Sequence, residues 1–153
     1  MKLATLLYVQ KDDKTLMLYR NKKENDYHKG KWNGLGGKFE QGESPEECAL
    51  RELKEESGLI AKRLVLKGHI TFPLFDGIDD WYVFVFTIPE FEGELSSSDE
   101  GELEWIPNKE LKKLNLWEGD KYFIDWLFQN RVFSAKFNYN NGKLIDYSVK
   151  FYS

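Results

Sequence analysis

Three glutamates at helical spacing lie in the middle of the sequence. Glu52, Glu55 and Glu56 occupy positions i, i+3 and i+4 of the segment ALRELKEESGL. On an α-helix this spacing brings the side chains to one face, where like charges repel one another unless a cation lies between them. An all-oxygen site with room for water and phosphate oxygens favours Mg²⁺, for which Mn²⁺ can substitute. The spacing therefore predicts a Mg²⁺ site; the plainer interpretation is an acidic helix face in contact with water.

The helix that must carry these glutamates has clear ends in the sequence. Ser44 is followed by Pro45 and, three residues on, by Glu47, which is the pattern of a capping box at a helix start. Gly58 is suited to the left-handed conformation that ends a helix. The pattern predicts a helix from about Pro45 to about Ser57. The side chains predicted to face the core are Ala49, Leu50 and Leu53.

The residues around the helix start favour the metal site over the solvated acidic face. Gly36-Gly37 lets backbone carbonyls approach an ion closely. Glu43 and Arg51 can form a brace that orients the helix.

The remaining segments predict a sheet with a few helices. A first hairpin of central strands, 3–9 and 15–19, is followed by a long polar loop that reaches residue 36. Further strands are predicted at 63–72, 81–88 and 103–106, short and longer helices at 108–114 and 120–130, and a C-terminal hairpin around Asn141-Gly142. Strands interleaved with so few helices predict α/β layers with a mixed sheet, in a single domain spanning residues 1–153.

Composition narrows the class of partner and the compartment. The formal net charge is −4, from 22 Lys and Arg against 26 Asp and Glu, and no basic stripe is long enough to follow a polymeric nucleic acid. The only cysteine, Cys48, excludes an internal disulfide and suits a reducing compartment. No apolar stretch approaches the length of a membrane span or a signal peptide. We therefore expect a cytoplasmic protein, a monomer by the simplest interpretation, with neither a membrane nor polymeric nucleic acid as its partner.

The segment from Gly36 to Leu59 resembles the signature of the Nudix hydrolases. That signature is a Gly, five residues, a Glu, seven residues, and then Arg-Glu-aliphatic-any-Glu-Glu-any-Gly-aliphatic. The matching residues are Gly37, Glu43, Arg51, Glu52, Leu53, Glu55, Glu56, Gly58 and Leu59. The resemblance implies an α/β/α sandwich with a mixed β-sheet and a catalytic loop–helix–loop. It also implies hydrolysis of a nucleoside diphosphate that is linked to another group.

The resemblance also implies a set of catalytic groups. The metal ligands would be Glu52, Glu55, Glu56 and the carbonyl of Gly36, with Glu100 as an additional ligand. Gly37, Glu43 and Arg51 would support them. The base for the attacking water would be Glu56 or a carboxylate of the later loop SSSDEGELE, which contains Glu100. The alternative for that loop is an exposed acidic turn.

Residues outside the signature resemble one subgroup, the MutT-type oxidised purine nucleoside triphosphatases. Asn33, Trp117 and Asp120 match its base-binding positions, and Tyr27 and Phe72 are expected beside the purine ring. Each has a plainer role: Asn33 in a turn, the aromatic residues in the core and Asp120 as a helix N-cap. The subgroup's pair of neighbouring acids is here Gly119-Asp120, so one carboxyl is missing.

These features predict an enzyme that sanitises the nucleotide pool. The expected reaction is Mg²⁺-dependent conversion of an oxidised purine nucleoside triphosphate, 8-oxo-dGTP for preference, into the monophosphate and pyrophosphate. One alternative keeps the reaction but changes the substrate to an ordinary nucleoside triphosphate, a nucleotide sugar or ADP-ribose. Another is a nucleotide-sensing module without turnover, which would not need every carboxylate of the signature.

Overall fold

The computed structural model describes residues 1–152, which form one mixed eight-stranded sheet with helices beside it. The strands are β1 (Lys2–Lys11), β2 (Lys14–Arg20), β3 (Trp32–Asn33), β4 (Ile60–Phe72), β5 (Trp81–Glu92), β6 (Gly101–Pro107), β7 (Val132–Asn140) and β8 (Lys143–Tyr152). The α-helices are α1 (Pro45–Ser57) and α2 (Asp120–Trp126), and a 3₁₀ helix spans Asn108–Lys113. No helix within residues 1–152 is long and apolar enough to cross a membrane.

The sheet combines parallel and antiparallel pairs. Its strand order is β3-β2-β1-β5-β4-β7-β8, and β6 pairs with β2 off this path. The pairs β1–β5 and β4–β7 are parallel, and the others are antiparallel. The mixed sheet predicted from the sequence is confirmed.

Successive side chains of the central strands point to opposite faces of the sheet, so both faces carry core residues. On β1, Leu7 and Val9 join the hydrophobic cluster that includes Ala49 and Leu53 of α1. Tyr8, between them, joins the second cluster, which includes Phe123 of α2. The sheet therefore lies between α1 on one face and α2 on the other, which is the α/β/α sandwich implied by the resemblance.

The N-terminal hairpin is less extensive than predicted. Asp12 and Asp13 make a tight turn with positive φ, but β1 pairs with β2 only at Gln10–Thr15 and Lys11–Lys14. Further back along β1, Thr5 and Leu7 exchange backbone hydrogen bonds with the loop at residues 35–37 instead. The predicted hairpin is present, but its pairing is short because this loop takes up the edge of β1. As a result, the loop before α1 is fixed against the middle of the sheet.

Two details of the helices also differ from the sequence prediction. Leu50 does not face the core: 44% of it is exposed, because it is rotated by about 100° from the buried Ala49 around α1. The second helix ends at Trp126 rather than Asn130, because the amides of residues 127–129 bond to carbonyls three residues earlier, as in a tighter turn. Similarly, the short helix predicted at 108–114 is a 3₁₀ helix.

Candidate active site

Helix α1 begins and ends as the sequence predicts, which fixes the register of its glutamates. The Ser44 side chain accepts the amide of Glu47 at 3.1 Å, and the Glu47 carboxylate accepts the amide of Ser44 at 2.9 Å. Gly58 closes the helix with φ 79°, and its amide bonds to the Lys54 carbonyl. A capping interaction of this kind contributes about 1 kcal/mol, so these ends hold the helix in one register.

Arg51 is the centre of an ionic network on the loop side of α1. Its guanidinium lies 2.7 Å from Glu43, 2.7 Å from Glu52 and 3.2 Å from Glu55, and it donates to the carbonyl of Lys38 at 3.0 Å. Hydrogen bonds from Arg51 lower the pKa of Glu43 to about 2. The brace between Glu43 and Arg51 therefore exists, and it joins the helix to the preceding loop.

Glu56 is buried at the inner edge of the same helix. Its carboxylate accepts the backbone amide of Gly36 at 2.8 Å. Burial raises the pKa of Glu56 to about 9, and the nearby charges of Glu100 and Glu52 add to this rise against the Gly36 hydrogen bond. A carboxylate pushed this far from its ordinary pKa is typical of a site that receives a cation or a proton.

Each glycine of the Gly36-Gly37 pair leaves space that a neighbouring group occupies. A side chain on Gly36, which has φ 133°, would collide with the carbonyl of Thr5. A Cβ on Gly37 would lie 2.6 Å from the carboxyl carbon of Glu52. The second glycine therefore leaves the space that the Glu52 carboxylate occupies.

The loop before β6 brings Glu100 to the buried glutamates. Glu100 lies close enough to Glu56 and Glu52 to raise the pKa of both groups. Arg20 holds it from the other side, with Nη1 3.4 Å from the Glu100 carboxylate. Glu100 is thus part of the acidic cluster rather than an exposed turn residue.

The donor atoms present fit a hard divalent cation, although they are not gathered into a finished site. Within residues 1–152 no three His, Cys, Asp or Glu side chains are grouped closely enough to hold an ion. Glu52, Glu56 and Glu100 lie near one another, whereas Glu55 is 58% exposed and turned to Arg51. No backbone hydrogen bond of the described residues ends on the carbonyl of Gly36, which leaves that oxygen available. The donor set is all oxygen and negatively charged, as Mg²⁺ requires.

A cavity of about 650 Å³ connects these carboxylates with a second group of residues. Glu52, Glu100 and Gly36 line one end of it, which we call the phosphate end. Asn33, Asp120 and Trp117 line the other, which we call the base end. A volume of this size is ordinary for a site that takes one small molecule.

Aromatic rings form the walls of the base end. Tyr27 stacks on Trp117 with 5.5 Å between ring centroids and 12° between planes, and Phe75 meets Trp117 edge-on at 4.9 Å. Phe72 also lines the cavity, packed on Phe75 and Phe137. These surfaces are suited to the flat face of a heteroaromatic base.

Two buried polar side chains at the base end have no hydrogen-bond partner within the described chain. Asn33 is 8% exposed, and its Nδ2 atom is buried without an acceptor. Asp120 is 7% exposed, and burial raises its pKa to about 8, against the opposing charge of Lys31. Asp120 is not the N-cap, because α2 starts at Asp120 itself and has no side-chain cap. Asn33 lies in β3 rather than in a turn. Since an unpaired buried polar group costs free energy, both groups are suited to a polar ligand.

Several cavity residues were not predicted from the sequence, among them His28, Phe75 and Tyr139. The Trp117 indole donates to Nδ1 of His28 at 2.8 Å. Burial, with the charge of Arg20, lowers the pKa of His28 to about 4, so the imidazole is neutral near pH 7. His28 and Phe75 lie in loops beside the predicted Tyr27 and Phe72, and their proximity in sequence was the only available signal. Tyr139 lies on β7, where the alternating pattern indicated only a strand.

Known proteins share this architecture and sequence. The family model of the NUDIX domain matches residues 2–127. The chain is 31% identical over 150 residues to the oxidized purine nucleoside triphosphate hydrolase of Mus musculus, which covers 97% of this chain and 94% of that protein. It is 34% identical over 120 residues to an ADP-ribose pyrophosphatase of Methanocaldococcus jannaschii, covering 78% of this chain and 69% of that protein.

The crystal structure of the mutator MutT protein from Bacillus halodurans superposes with a TM-score of 0.88 at 32% identity, over 98% of both chains. The sequence signature, the sandwich around α1 and these similarities establish that the chain belongs to the Nudix hydrolase family.

Proposed function

We propose that this Nudix hydrolase is a Mg²⁺-dependent pyrophosphohydrolase of oxidised purine nucleoside triphosphates, with 8-oxo-dGTP as its preferred substrate. The products are the nucleoside monophosphate and pyrophosphate, and the role is sanitation of the nucleotide pool in the cytoplasm, by a monomeric protein. The observation that carries the proposal is one cavity that joins the carboxylates of the phosphate end to the buried Asn33 and Asp120 at the base end, where Nδ2 of Asn33 has no hydrogen-bond partner within the described chain. A nucleotide has the same two parts, a charged phosphate chain and a flat polar base.

At the phosphate end, the residues suited to hold Mg²⁺ are Glu52, Glu56, Glu100 and the carbonyl of Gly36, with Glu55 available after release from Arg51. When bound there, the ion supplies charge that polarises the phosphate chain and favours ionisation of a water. Arg51 holds the Glu52 carboxylate in place through a 2.7 Å hydrogen bond, and the Gly36 amide does the same for Glu56. Glu56 or Glu100 would accept the proton of the attacking water, and Glu56 can do so only in its ionised form.

At the base end, aromatic surfaces hold the purine and polar groups select it. Tyr27, Trp117 and Phe72 provide the flat apolar contacts. The amide of Asn33 can donate and accept, and a protonated Asp120 can do the same. A pKa of about 8 keeps Asp120 mainly protonated at neutral pH, which suits a base edge that presents both an acceptor and a donor.

The names of the two relatives both support a purine nucleotide as the substrate. They differ in which purine nucleotide that is. The mouse relative is named for oxidised purine nucleoside triphosphates, and the archaeal relative is named for ADP-ribose. We favour the first because the chain covers 94% of the mouse relative but 69% of the archaeal one.

A hydrolysis panel tests the proposal. Purified protein is assayed with 8-oxo-dGTP, dGTP, UDP-glucose and ADP-ribose, with Mg²⁺ and with EDTA, and the products are separated by ion-exchange chromatography. We expect pyrophosphate and 8-oxo-dGMP as the products, with a kcat/KM for 8-oxo-dGTP at least tenfold above that for any other substrate and no turnover in EDTA. Faster hydrolysis of ADP-ribose than of 8-oxo-dGTP would refute the substrate. Undiminished turnover in EDTA would refute the metal dependence.

A further inference from the structure

Tyr139 occupies the space beside Asp120 that a second acidic side chain would need. The Gly119 amide donates to the Tyr139 hydroxyl at 2.6 Å. A Cβ at position 119 would lie 2.7 Å from this hydroxyl oxygen and 2.7 Å from a ring carbon of Phe137. A side chain at residue 119 is therefore incompatible with Tyr139 in its present position. A pair of acidic residues at positions 119 and 120 would place two carboxyls here. This chain instead places the Tyr139 phenol beside the Asp120 carboxyl.

The phenol proton remains available to a ligand. The Tyr139 oxygen accepts from Gly119, and no hydrogen bond within residues 1–152 has this hydroxyl as its donor. Tyr139 lines the cavity, and the walls around it are the edge-on rings of Phe75 at 5.1 Å and Trp117 at 5.8 Å. An aromatic wall offers no strong acceptor, so a hydroxyl among these rings gains most from an acceptor on the ligand.

The two members of the pair behave differently as hydrogen-bonding groups. A carboxyl can change from donor to acceptor when it loses its proton. Burial, together with the charge of Asp120, raises the pKa of the Tyr139 phenol further above its ordinary value, so this group keeps its proton at any physiological pH. The site therefore has one donor that cannot switch beside one carboxyl that can.

We propose that Tyr139 is a base-selecting residue, whose hydroxyl, oriented by the Gly119 amide, donates to a carbonyl oxygen of the purine and so favours 6-oxo over 6-amino bases. The inference rests on the proposed function and specifies the base for the same site. A 6-amino group would place its own N–H bonds against the fixed donor, leaving two donors without an acceptor in a buried site. Discrimination that rests on such unpaired buried groups is strong.

The test is the variant Tyr139→Phe, which removes the hydroxyl and keeps the ring. The variant and the wild type are compared on 8-oxo-dGTP, which has a 6-oxo group, and 8-oxo-dATP, which has a 6-amino group. We expect kcat/KM for 8-oxo-dGTP to fall about tenfold through KM, as for the loss of one buried hydrogen bond, with kcat/KM for 8-oxo-dATP changed less than twofold. An equal fall for both substrates, or no change for either, would overturn the proposal.

Two controls separate selection from a structural role. Tyr147→Phe makes the same chemical change on β8, outside the cavity, and should leave both values unchanged. In Gly119→Ala the added methyl group should displace the Tyr139 hydroxyl. We therefore expect kcat/KM for 8-oxo-dGTP to fall as in Tyr139→Phe, with little change for 8-oxo-dATP. Retention of wild-type selectivity by Gly119→Ala would contradict orientation by the Gly119 amide.

A binding measurement keeps the test independent of turnover. Isothermal titration with 8-oxo-dGMP in EDTA reports on the base end alone, and we expect Tyr139→Phe to weaken this binding about tenfold. If the wild type hydrolyses no nucleoside triphosphate, the proposed function fails while this titration still decides the role of Tyr139. If the wild type is active and the variant binds 8-oxo-dGMP with the same Kd, only the role of Tyr139 is refuted.

Discussion

The two ends of the cavity are built in opposite ways. At the phosphate end most polar groups already have a partner, as Arg51 with Glu43 and Glu52 and the Gly36 amide with Glu56 illustrate. An exception is Oε2 of Glu100, which is buried without a hydrogen bond to any of residues 1–152 and lies 3.4 Å from Arg20. At the base end the amide nitrogen of Asn33, the carboxyl of Asp120 and the proton of Tyr139 have no partner within the described chain. The phosphate end is thus largely organised in advance, whereas the base end leaves the polar groups to which we assign base selection without a partner in this part of the chain.

This difference follows from the chemistry each end must perform. Like charges at the phosphate end would separate unless ion pairs and amide hydrogen bonds held them, and catalysis requires their positions to be set before the reaction. Selection at the base end works through the penalty of burying an unpaired donor or acceptor against the wrong base. Mutations at the first end should therefore act mainly on kcat, and those at the second mainly on KM and on stability.

The largest effect is expected at the phosphate end, from Glu56→Gln. The substitution keeps the shape and the hydrogen bond from Gly36 but removes a carboxyl that can ionise to hold a cation or to accept a proton. We expect kcat to fall about 1,000-fold, which corresponds to about 4 kcal/mol of transition-state stabilisation. The measurement is steady-state release of pyrophosphate from 8-oxo-dGTP.

Because the pKa of Glu56 is raised to about 9, its carboxyl is already uncharged near pH 7. The neutral glutamine should therefore not cost stability, and the Glu56→Gln protein is expected to keep its circular dichroism spectrum and about the wild-type Tm. Glu46→Gln, an exposed residue in the first turn of the same helix, is the matched control and should retain wild-type kcat. A kcat for Glu56→Gln within threefold of wild type would remove Glu56 from the chemistry.

The next effect concerns stability at the base end. Burial raises the pKa of Asp120 to about 8 in the folded chain, from an ordinary value near 3.8, with Lys31 opposing the rise and no acid at position 119. At a pH between these two pKa values, the Asp120 carboxyl is ionised in the unfolded chain but protonated in the folded chain. The free energy of unfolding therefore falls as the pH rises. The fall is at most about 1.4 kcal/mol per pH unit, or about 2 to 3 kcal/mol between pH 5 and pH 7, and it ends above pH 8.

Asp120→Asn should remove this contribution to the pH dependence. Urea unfolding at pH 5, 6, 7 and 8 gives the free energy of unfolding for the wild type and the variant. Asp125→Asn, an exposed position in α2 paired with Lys112, should keep the wild-type slope. If wild type and Asp120→Asn share one slope, Asp120 is ionised in the folded protein throughout this range.

A smaller effect is expected from Asn33→Ala, which tests whether the unpaired amide exists for the ligand. We expect KM for 8-oxo-dGTP to rise about tenfold with kcat within twofold, because we assign the amide to the base and not to the reacting phosphate. Since Nδ2 of Asn33 has no partner in the described chain, Tm should not fall by the amount usual for a buried polar residue. A destabilised variant with unchanged KM would make Asn33 a structural residue.

How much of this molecule the sequence predicts also differs between the two ends. The cap residues Ser44 and Gly58 and the brace between Glu43 and Arg51 all lie in one short segment, so local spacing was sufficient to place them. Leu50 was misplaced because a small rotation around α1 separates a buried position from an exposed one. The extent of the first hairpin was misjudged because the competing partner of β1 is a loop some thirty residues away in sequence.

The base end depends on contacts that local patterns do not encode. Tyr139 reaches the cavity because β7 runs parallel to β4 in a particular register, and Gly119 reaches Tyr139 from the start of α2. Asn33, Trp117 and Asp120 were indicated by resemblance, whereas the groups that surround them depend on the folded arrangement of four separate segments. Sequence thus predicts the chemistry of the phosphate end better than the specificity of the base end.

The smallest effect should come from His28→Ala, which tests whether the aromatic wall needs a polar anchor. His28 accepts the indole N–H of Trp117 at 2.8 Å and has a pKa lowered to about 4, so it fixes Trp117 without adding charge. Loss of this acceptor lets the indole tilt and weakens stacking, and we expect KM to rise about threefold with kcat unchanged. His69→Ala, the only other histidine and one outside the cavity, should leave KM unchanged. Because the imidazole of His28 is already neutral, the KM of the wild type should not change with pH near 6.5. If KM does change there and His28→Ala abolishes that change, His28 is charged at the base end.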